Sequence, residues 1–407
     1  NARFICDVVY TNTTPAGAYR GYGSMQEFFA LEVIMEEIAD KLGLDVVDFK
    51  RKNWLKVGEP MHLATKLGEG REGFEQILHT SALEECVQIG MKATDYRKNR
   101  EVYSKQKDGS IRHGIGMSVM FHGSGVAGLD MASASLKMND DGSFNLLIGA
   151  TDIGTGSDTI LAQIAAEVLG IPVEDIIVYS SDTDFTPFDK GAYASSTTYI
   201  SGGAVRKAAL DIKKQIQDRA GLMLAIEDVE QIVLKDRKAY APNGEYVTLE
   251  DVALNSLHQQ QQRQIMAVAS HMSFDSPPPT AAQFVETDVD IETGELFVKR
   301  LLMVVDPGRV INPRTAAGQV EGGMAQALGF AHSEDTIYSP DGKILNPDLG
   351  NYHVYRANEL PVMDVIFVET DEPTGPFGAK SIAEIAIDGV GPALVNAIHN
   401  ATGVWIR

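Results

Sequence analysis

The sequence predicts an α+β protein of mixed sheets and packed helices in two subdomains. Three observations carry that expectation. Strand-like and helix-like segments alternate without the regular period of a doubly wound array, and no solenoid repeat is present. Two pairs of apolar runs flank short polar turns, as hairpins do. Several glycine-rich loops run straight into helical patterns.

Taken in order, Asn1-Ala2 lacks an initiator Met and reads as a remnant leading into a fragment of something longer. Arg3 to Tyr10 is strand-like, and Thr11 to Ala18 is turn-rich. Leu31, Ile34, Ile38 and Leu42 recur at three or four residues opposite Glu36, Glu37, Asp40 and Lys41, which predicts an amphipathic helix stopped by Gly43. Residues 50–110 are charged, helical or irregular, and read as a connecting layer. Ala134 to Met138 and Phe144 to Ile148 flank Asn139-Asp-Asp-Gly-Ser143 as a hairpin. Gly149 to Asp158 then feeds a helix carrying Ile160, Ile164 and Val168, ended by Gly170 and Pro172.

Ile176 to Tyr179 reads as a buried strand, and Gly191 to Thr198 as a polar lead into a helix with Val205, Ala209, Ile212 and Ile216. The glutamine-rich stretch from His258 to Gln264 and the stiff Ser276-Pro-Pro-Pro-Thr280 mark the best internal boundary. Phe284 to Ile291 and Leu296 to Val305 form a second hairpin. A helix begins at Gly318-Gln-Val-Glu-Gly-Gly-Met-Ala-Gln326, and Val362 to Val368 is a last strand. The division expected is 1–108, 109–280 and 281–407.

The 407 residues are 44% hydrophobic, enough for a substantial core. A formal charge of −21 argues against nucleic acid or an anionic membrane as the main partner. No apolar run approaches the ~20 residues that span a bilayer. Cys6 and Cys86 alone build no disulfide framework, four-cysteine zinc site or iron-sulfur cluster, and a reducing cytoplasm fits them best.

The most telling segment is Gly375-Pro-Phe-Gly-Ala-Lys-Ser-Ile-Ala-Glu384, a glycine-bracketed loop that presents one carboxylate among small and apolar neighbours. Such surroundings push a carboxylate upward toward a working base. A Glu that caps the next helix or pairs with Lys380 is the equal alternative. Gly149 to Asp158, Ala192 to Thr198 and Gly318 to Gln326 share one design, small residues that expose backbone N–H groups where a helix begins. With Arg20-Gly-Tyr-Gly they suggest a large polar cofactor gripped from several sides. Gly154-Thr-Gly-Ser lacks both the third glycine of a dinucleotide fingerprint and the Lys of a phosphate loop. Tyr22 suits a planar substrate and Arg20 an anionic edge, against a plain reading of a buried ring and a surface cation. Gly123-Ser124-Gly125 is not a nucleophile elbow. The nine histidines are scattered, without helical metal-ligand spacing, and read as ordinary polar residues.

Ala18-Tyr-Arg-Gly-Tyr-Gly-Ser-Met-Gln26 resembles the Phe-Arg-Gly-Phe-Gly-x-x-Gln signature of the xanthine dehydrogenase and aldehyde oxidase family, in its molybdopterin-binding subunit. Gly149 to Gly156, Ala194 to Thr197, Gly318 to Gly322 and Gly378 to Glu384 resemble its later signatures in the same order, over nearly the whole chain. The resemblance implies that Glu384 is the catalytic base and that Tyr22 is one of the rings sandwiching the substrate. It implies that Arg20, Ala194 and Gln319 contact the molybdenum cofactor, with Gly154, Thr155, Gly156, Ser195, Ser196, Thr197 and Lys380 in the same binding set and no side chain ligating the metal directly. Thr155 stands where relatives carry Gln, which puts one cofactor contact in question.

The cofactor so implied is molybdopterin, as its cytosine dinucleotide, carrying molybdenum, with 2Fe-2S and FAD on partner chains. The family's N-terminal molybdenum-domain half, in the same polypeptide or a separate subunit, would complete the site. The resemblance implies hydroxylation of a purine or other N-heteroaromatic carbon with water-derived oxygen. Aldehyde oxidation is second, and an inactive assembly scaffold is the reading from another class. A carbohydrate hydrolase would need a second acid near Glu384, for which the sequence offers no convincing candidate.

Overall fold

A computed structural model describes residues 5–15, 17–68, 70–259 and 261–407. The chain opens with α1 (Ser24–Leu42), α2 (Val46–Arg51), α3 (Leu83–Ala93) and α4 (Tyr96–Tyr103). β1 (Ile111–Phe121), β2 (Met131–Met138), β3 (Phe144–Ile148), α5 (Ser157–Leu169) and β4 (Ile176–Ser180) follow. A π-helical turn at Thr197–Ser201 enters α6 (Gly202–Leu224). Next come β5 (Val233–Lys235), β6 (Lys238–Tyr240), β7 (Tyr246–Thr248), α7 (Leu249–His258), β8 (Met266–Met272), β9 (Thr280–Asp290) and β10 (Leu296–Asp306). The last elements are α8 (Pro313–His332), β11 (Val362–Phe367), α9 (Ile385–Asp388) and α10 (Val390–Thr402).

Among the described residues, two four-stranded sheets and one small three-stranded sheet result, with orders β1-β9-β10-β11, β4-β3-β2-β8 and β5-β6-β7. Both larger sheets are mixed, as expected: β10 runs parallel to β11 and β3 parallel to β4, while their other pairings are antiparallel. The strand β1 joins the later part of the chain, because its partner is β9. Alternation along β10 divides the first sheet's burial between two cores. Leu301, Met303 and Val305 pack with α8 and α10, whereas Leu302 and Val304 pack with Val47, Cys86, Val87 and Tyr96 of the first four helices. The second sheet packs against α5 and α6 around Leu161, Ile164, Val205, Ile212 and Ile216.

α10 lies directly on β1, and the sequence makes room for it. A Cβ added at Gly116 would stand 2.1 Å from the Ala393 carbonyl oxygen, and one at Gly114 2.1 Å from that of Ala397. Gly116→Ala is therefore expected to lower stability by about 1–3 kcal/mol, read by chemical denaturation, since helix and strand must part.

Several sequence expectations are corrected. Residues 5–10 form no strand and are exposed, because no described strand lies alongside to pair with them. Residues 1–4 and 16, within the opening strand and turn, and Gln260, within the glutamine-rich stretch, lie outside the described residues. α1 is inverted relative to its pattern: Leu31, Ile34 and Leu42 are exposed, while Glu32 and Glu36 are buried. The Lys50 ammonium, itself buried, stands 2.8 Å from Glu32 and 3.7 Å from Glu36, Arg100 pairs with Glu36, and the Val119 N–H donates to Glu32 at 2.8 Å. Matched charges and hydrogen bonds make that burial tolerable.

β4 is a half-exposed edge strand rather than a buried one. Pro277, Pro278 and Pro279 are no linker but buried scaffold, since prolines bring only carbonyls to satisfy. Those accept from the Ser124 hydroxyl, the Lys380 ammonium and the His122 N–H respectively.

Candidate active site

The loop before Glu384 is fixed by its backbone. A Cβ at Gly375 would meet the Ala379 carbonyl oxygen at 1.9 Å, and Gly378 holds φ +84°. The Arg309 N–H donates to the Gly378 carbonyl at 2.9 Å and the Lys380 N–H to that of Pro307 at 2.8 Å, which clamps the loop onto the segment leaving β10. Lys380 is buried. Its ammonium donates to Asp306 at 2.8 Å and to the Thr80 and Pro278 carbonyls at 3.3 Å each. The ammonium and the main-chain N–H are thus both committed within the protein, and any cofactor contact from this residue falls to its carbonyl.

Glu384 starts α9 without capping it through its side chain, and it does not pair with Lys380. Both plain readings of this residue are thereby excluded. Its carboxylate gathers three separate motifs instead. Oε1 accepts the Gly21 N–H at 3.2 Å, and Oε2 accepts the Ser195 hydroxyl at 2.9 Å and lies 3.1 Å from Nε2 of His122. Gly21 sits in a turn between Arg20 and the exposed Tyr22, whose φ of +47° is left-handed. Ala194 and Ser195, at φ +49° and +54°, are left-handed as well, and that kink brings the Ser195 Oγ to both the carboxylate and the N–H of Glu384. Ser196 turns away to the Gly191 carbonyl, and Thr197 begins the π-helical turn.

Arg20 locks this cluster to α8. Its guanidinium donates to the Ala383 carbonyl at 2.6 Å, the Gln326 amide oxygen at 3.0 Å and the Gln319 carbonyl at 2.9 Å. Gln319 in turn donates to the Gly154 carbonyl at 3.2 Å. Each of the five sequence motifs thus contributes to one hydrogen-bonded cluster, through Arg20 and Gly21, Gly154, Ser195, Gln319 and Glu384, whereas Tyr22, Thr155, Ser196, Thr197 and the Lys380 side chain stand outside it.

Two of the proposed cradles differ from expectation. Gly318 to Gln326 lies inside α8 rather than at its start; Asn312 caps that helix through the Arg314 and Thr315 N–H groups. Gly318 and Gly322 leave open space there, with no atom within 4 Å of an added Cβ. The Gly149 to Asp158 loop does precede α5, with Gly156 at the N-cap at φ +76°. Its N–H groups, however, are taken by its own Asp152, which accepts from Gly154 at 2.9 Å and Gly156 at 3.1 Å. Burial pushes the Asp152 carboxyl up, but these N–H groups and those of Asp158 and Thr155 outweigh it and hold the group below the usual range.

His122 and Asp388 escaped the sequence reading. Nδ1 of His122 lies 3.0 Å from Asp388, whose other oxygen accepts the Ser24 hydroxyl at 2.5 Å. The only signal was Asp388 four residues after Glu384, one turn on, and a histidine beside the small Gly123-Ser-Gly125 run. Burial opposes the charge on His122, yet hydrogen bonds and charge from Asp388 and Glu384 raise it to about 9. Glu384 moves down rather than up as expected: burial raises it, but His122, the Ser195 hydroxyl and the Gly21 N–H outweigh burial. Asp388, with no exposed side-chain surface, is raised by burial despite the same histidine.

These directions give a pH test. Because His122 is raised from 6.5 to about 9 on folding, the stability it contributes is full below 6.5 and lost as pH rises through about 9. His271, lowered to about 4 by burial and Lys207, acts below pH 6.5 and leaves that window clear. Thermal midpoints are expected to fall across this window in the natural sequence and to stay flatter in His122→Gln.

A shallow groove beside the cluster is lined by Thr155, Thr198, Arg309, Asn312, Thr315 and Gln319, and encloses about 60 Å³. Thr155 Oγ1, on that groove, and Ser157 Oγ, two positions on, are buried without a hydrogen-bond partner among the described residues.

An α+β scaffold that gathers glycine-rich loops around one carboxylate, beside a small groove of mixed lining, is the framework of a cofactor-binding protein. Residues 90–361 match a molybdopterin cofactor-binding domain and residues 1–54 a second domain of that description, and the chain belongs to the molybdopterin-binding family of xanthine dehydrogenase and aldehyde oxidase type. It is 36% identical over 405 residues to a putative xanthine dehydrogenase molybdenum-binding subunit of Escherichia coli (strain K12), covering 98% of this chain and 52% of that protein. It is 34% identical over 409 residues to a probable hypoxanthine oxidase of the same strain, covering 100% of this chain and 42% of the other. The crystal structure of quinoline 2-oxidoreductase from Pseudomonas putida 86 superposes with a TM-score of 0.85 at 25% identity, over 96% of this chain and 51% of that one. The chain thus spans about half the length of the curated relatives it matches. Among the described residues, no helix is long and apolar enough to cross a membrane.

Proposed function

We propose that this chain is the base-bearing portion of a molybdenum hydroxylase that acts on a purine or another N-heteroaromatic ring. The observation that carries the reading is the convergence of Gly21, Ser195 and His122 on the Glu384 carboxylate. The polar part of the groove's lining suits an oxygen-rich anionic group, with Arg309 offering a cation, Gln319 an amide and Thr155 an unpartnered hydroxyl, alongside the apolar Ile160, Val310, Ile311 and Ile382. Its small volume, against the roughly 300–1,000 Å³ of a complete ligand pocket, supports a site finished by a further molybdenum-binding half. When bound, molybdopterin, as the cytosine dinucleotide, supplies the two-electron oxidation of a ring carbon with oxygen that originates in water.

The chain's own residues bind, orient and move a proton. Arg20, the Gly154 to Gly156 loop through its Thr155 hydroxyl, Ala194 to Thr197, Gln319 and the carbonyl of Lys380 hold the cofactor. The Tyr22 ring, free on its turn, stacks on the planar substrate. Glu384 stays ionised at neutral pH and accepts the proton released as the new carbon–oxygen bond forms. Electrons leave through 2Fe-2S and FAD groups on partner chains, in a reducing cytoplasm. On this reading, residues 1–108 hold the end of the first molybdenum-binding subdomain and 109–280 with 281–407 the second.

The full protein purified with its partners should contain molybdenum and oxidise xanthine or nicotinate faster than an aldehyde. Absence of molybdenum overturns the reading. Preference for the aldehyde moves the assignment to aldehyde oxidation, and molybdenum without turnover moves it to a scaffold. Tyr22→Ala is expected to raise KM about tenfold with little change in kcat, the loss of about 1–1.5 kcal/mol of stacking, read in steady-state kinetics.

A further inference from the structure

We propose that His122 acts on the reaction through Glu384: clamped between Asp388 and Glu384, its imidazole orients the base and carries the positive charge that balances it. This rests on the reading of Glu384 as the base. Both ring nitrogens face carboxylate oxygens, Nδ1 at 3.0 Å from Asp388 and Nε2 at 3.1 Å from Glu384. An ionised carboxylate only accepts, so both contacts are satisfied together when both nitrogens carry hydrogen. A doubly protonated ring is a cation.

The charges packed around the ring sum to balance. Glu384 and Asp388 face it from the two ends of α9, and the Arg20 guanidinium adds its charge to both carboxylates from the opening turn. The other groups are neutral donors: the Ser24 hydroxyl on Asp388, and the Ser195 hydroxyl and Gly21 N–H on Glu384. Two anions thus meet one guanidinium, and the imidazolium is the second cation. Without it, one negative charge would stay uncompensated in a site where Asp388 has no exposed side-chain surface.

The clamp is also mechanically anchored. The His122 N–H donates to the Pro279 carbonyl at 3.3 Å, in the buried proline run, and Asp388 is tied to α1 by Ser24. The order Asp388, His122, Glu384 repeats the logic by which a third group aims a catalytic pair. His122 touches neither substrate nor cofactor on this account, and is a positioning residue. Its consequence for rate is a population effect: with the cation present, Glu384 is ionised and aimed at neutral pH. With a neutral side chain in its place, burial governs the carboxylate and part of the enzyme holds a protonated, inactive base.

The test uses the full protein with its partners, metal content measured for each variant. In His122→Gln, the acid limb of the kcat/KM pH profile is expected to move up by about one to three pH units, with kcat falling at pH 6 and recovering at higher pH. A second readout needs no turnover. In histidine ¹³Cε1–¹H NMR spectra of protein prepared without molybdopterin, the resonance missing from His122→Gln should titrate near pH 9 in the natural sequence, and lower in both Glu384→Gln and Asp388→Asn. Should His122→Gln fail to fold, His122→Asn replaces it both for assigning the resonance and for reading the acid limb.

An unmoved acid limb, or a His122 resonance titrating near 6.5 and indifferent to both carboxylate variants, overturns the clamp even while Glu384→Gln abolishes turnover. Full turnover in Glu384→Gln overturns the base assignment itself and the clamp's part in the reaction, whatever the titration of His122.

Discussion

Glu384→Gln is expected to cut turnover of the assembled enzyme by about 10²–10⁴-fold while molybdenum and pterin content stay at the natural level. The amide is nearly isosteric, and with its oxygen in the place of Oε2 it still accepts from the Ser195 hydroxyl and faces His122, so the only bond given up is that from the Gly21 N–H, which donated to Oε1. What is lost is the ability to take a proton. Metal analysis beside single-turnover kinetics separates that loss from failed cofactor binding. Unchanged turnover with full molybdenum would remove Glu384 from the chemistry.

The second large effect concerns stability. Lys380→Ala is expected to destabilise the protein by about 3–5 kcal/mol, because it strips the partner from a carboxylate buried as deeply as the lysine itself. Asp306 would keep the Ala82 and Gly308 N–H donors and the Thr370 hydroxyl, which stabilise its charge only in part. Adding Asp306→Asn to Lys380→Ala should recover part of the loss, a coupling that chemical denaturation of the four members of the cycle measures. Near-additive losses would show that the pair is not what holds the loop to the end of β10.

These effects also indicate how much was legible beforehand. The hairpin around Asn139 to Ser143, the glycines bounding α5, and the β9–β10 hairpin were readable because turn chemistry and local period determine them. The shared design of the glycine-rich loops suggested that the segments of Arg20, Ser195 and Gln319 gather around one ligand, but the part each residue plays beside Glu384 was readable only through the family resemblance. What escaped depends on partners distant in sequence. α1 buries Glu32 and Glu36 because Lys50 and Arg100 meet them, and no helical periodicity encodes that. Glu384 moves down although burial raises it, because His122, Ser195 and Gly21, all far along the chain, together outweigh that burial. Asp152 filling its own loop is local, yet an aspartate in a glycine loop reads equally as cap or as filler.

The contacts on Glu384 reach across 363 residues to Gly21, 262 to His122 and 189 to Ser195. Closing such spans demands that chain entropy be surrendered before any of these bonds form, so the cluster is among the last features to appear as the polypeptide matures. On the proposed reading, a half-collapsed molecule offers the pterin no assembled cluster, and insertion of the metal centre follows the meeting of Gly21, His122 and Ser195 with Glu384.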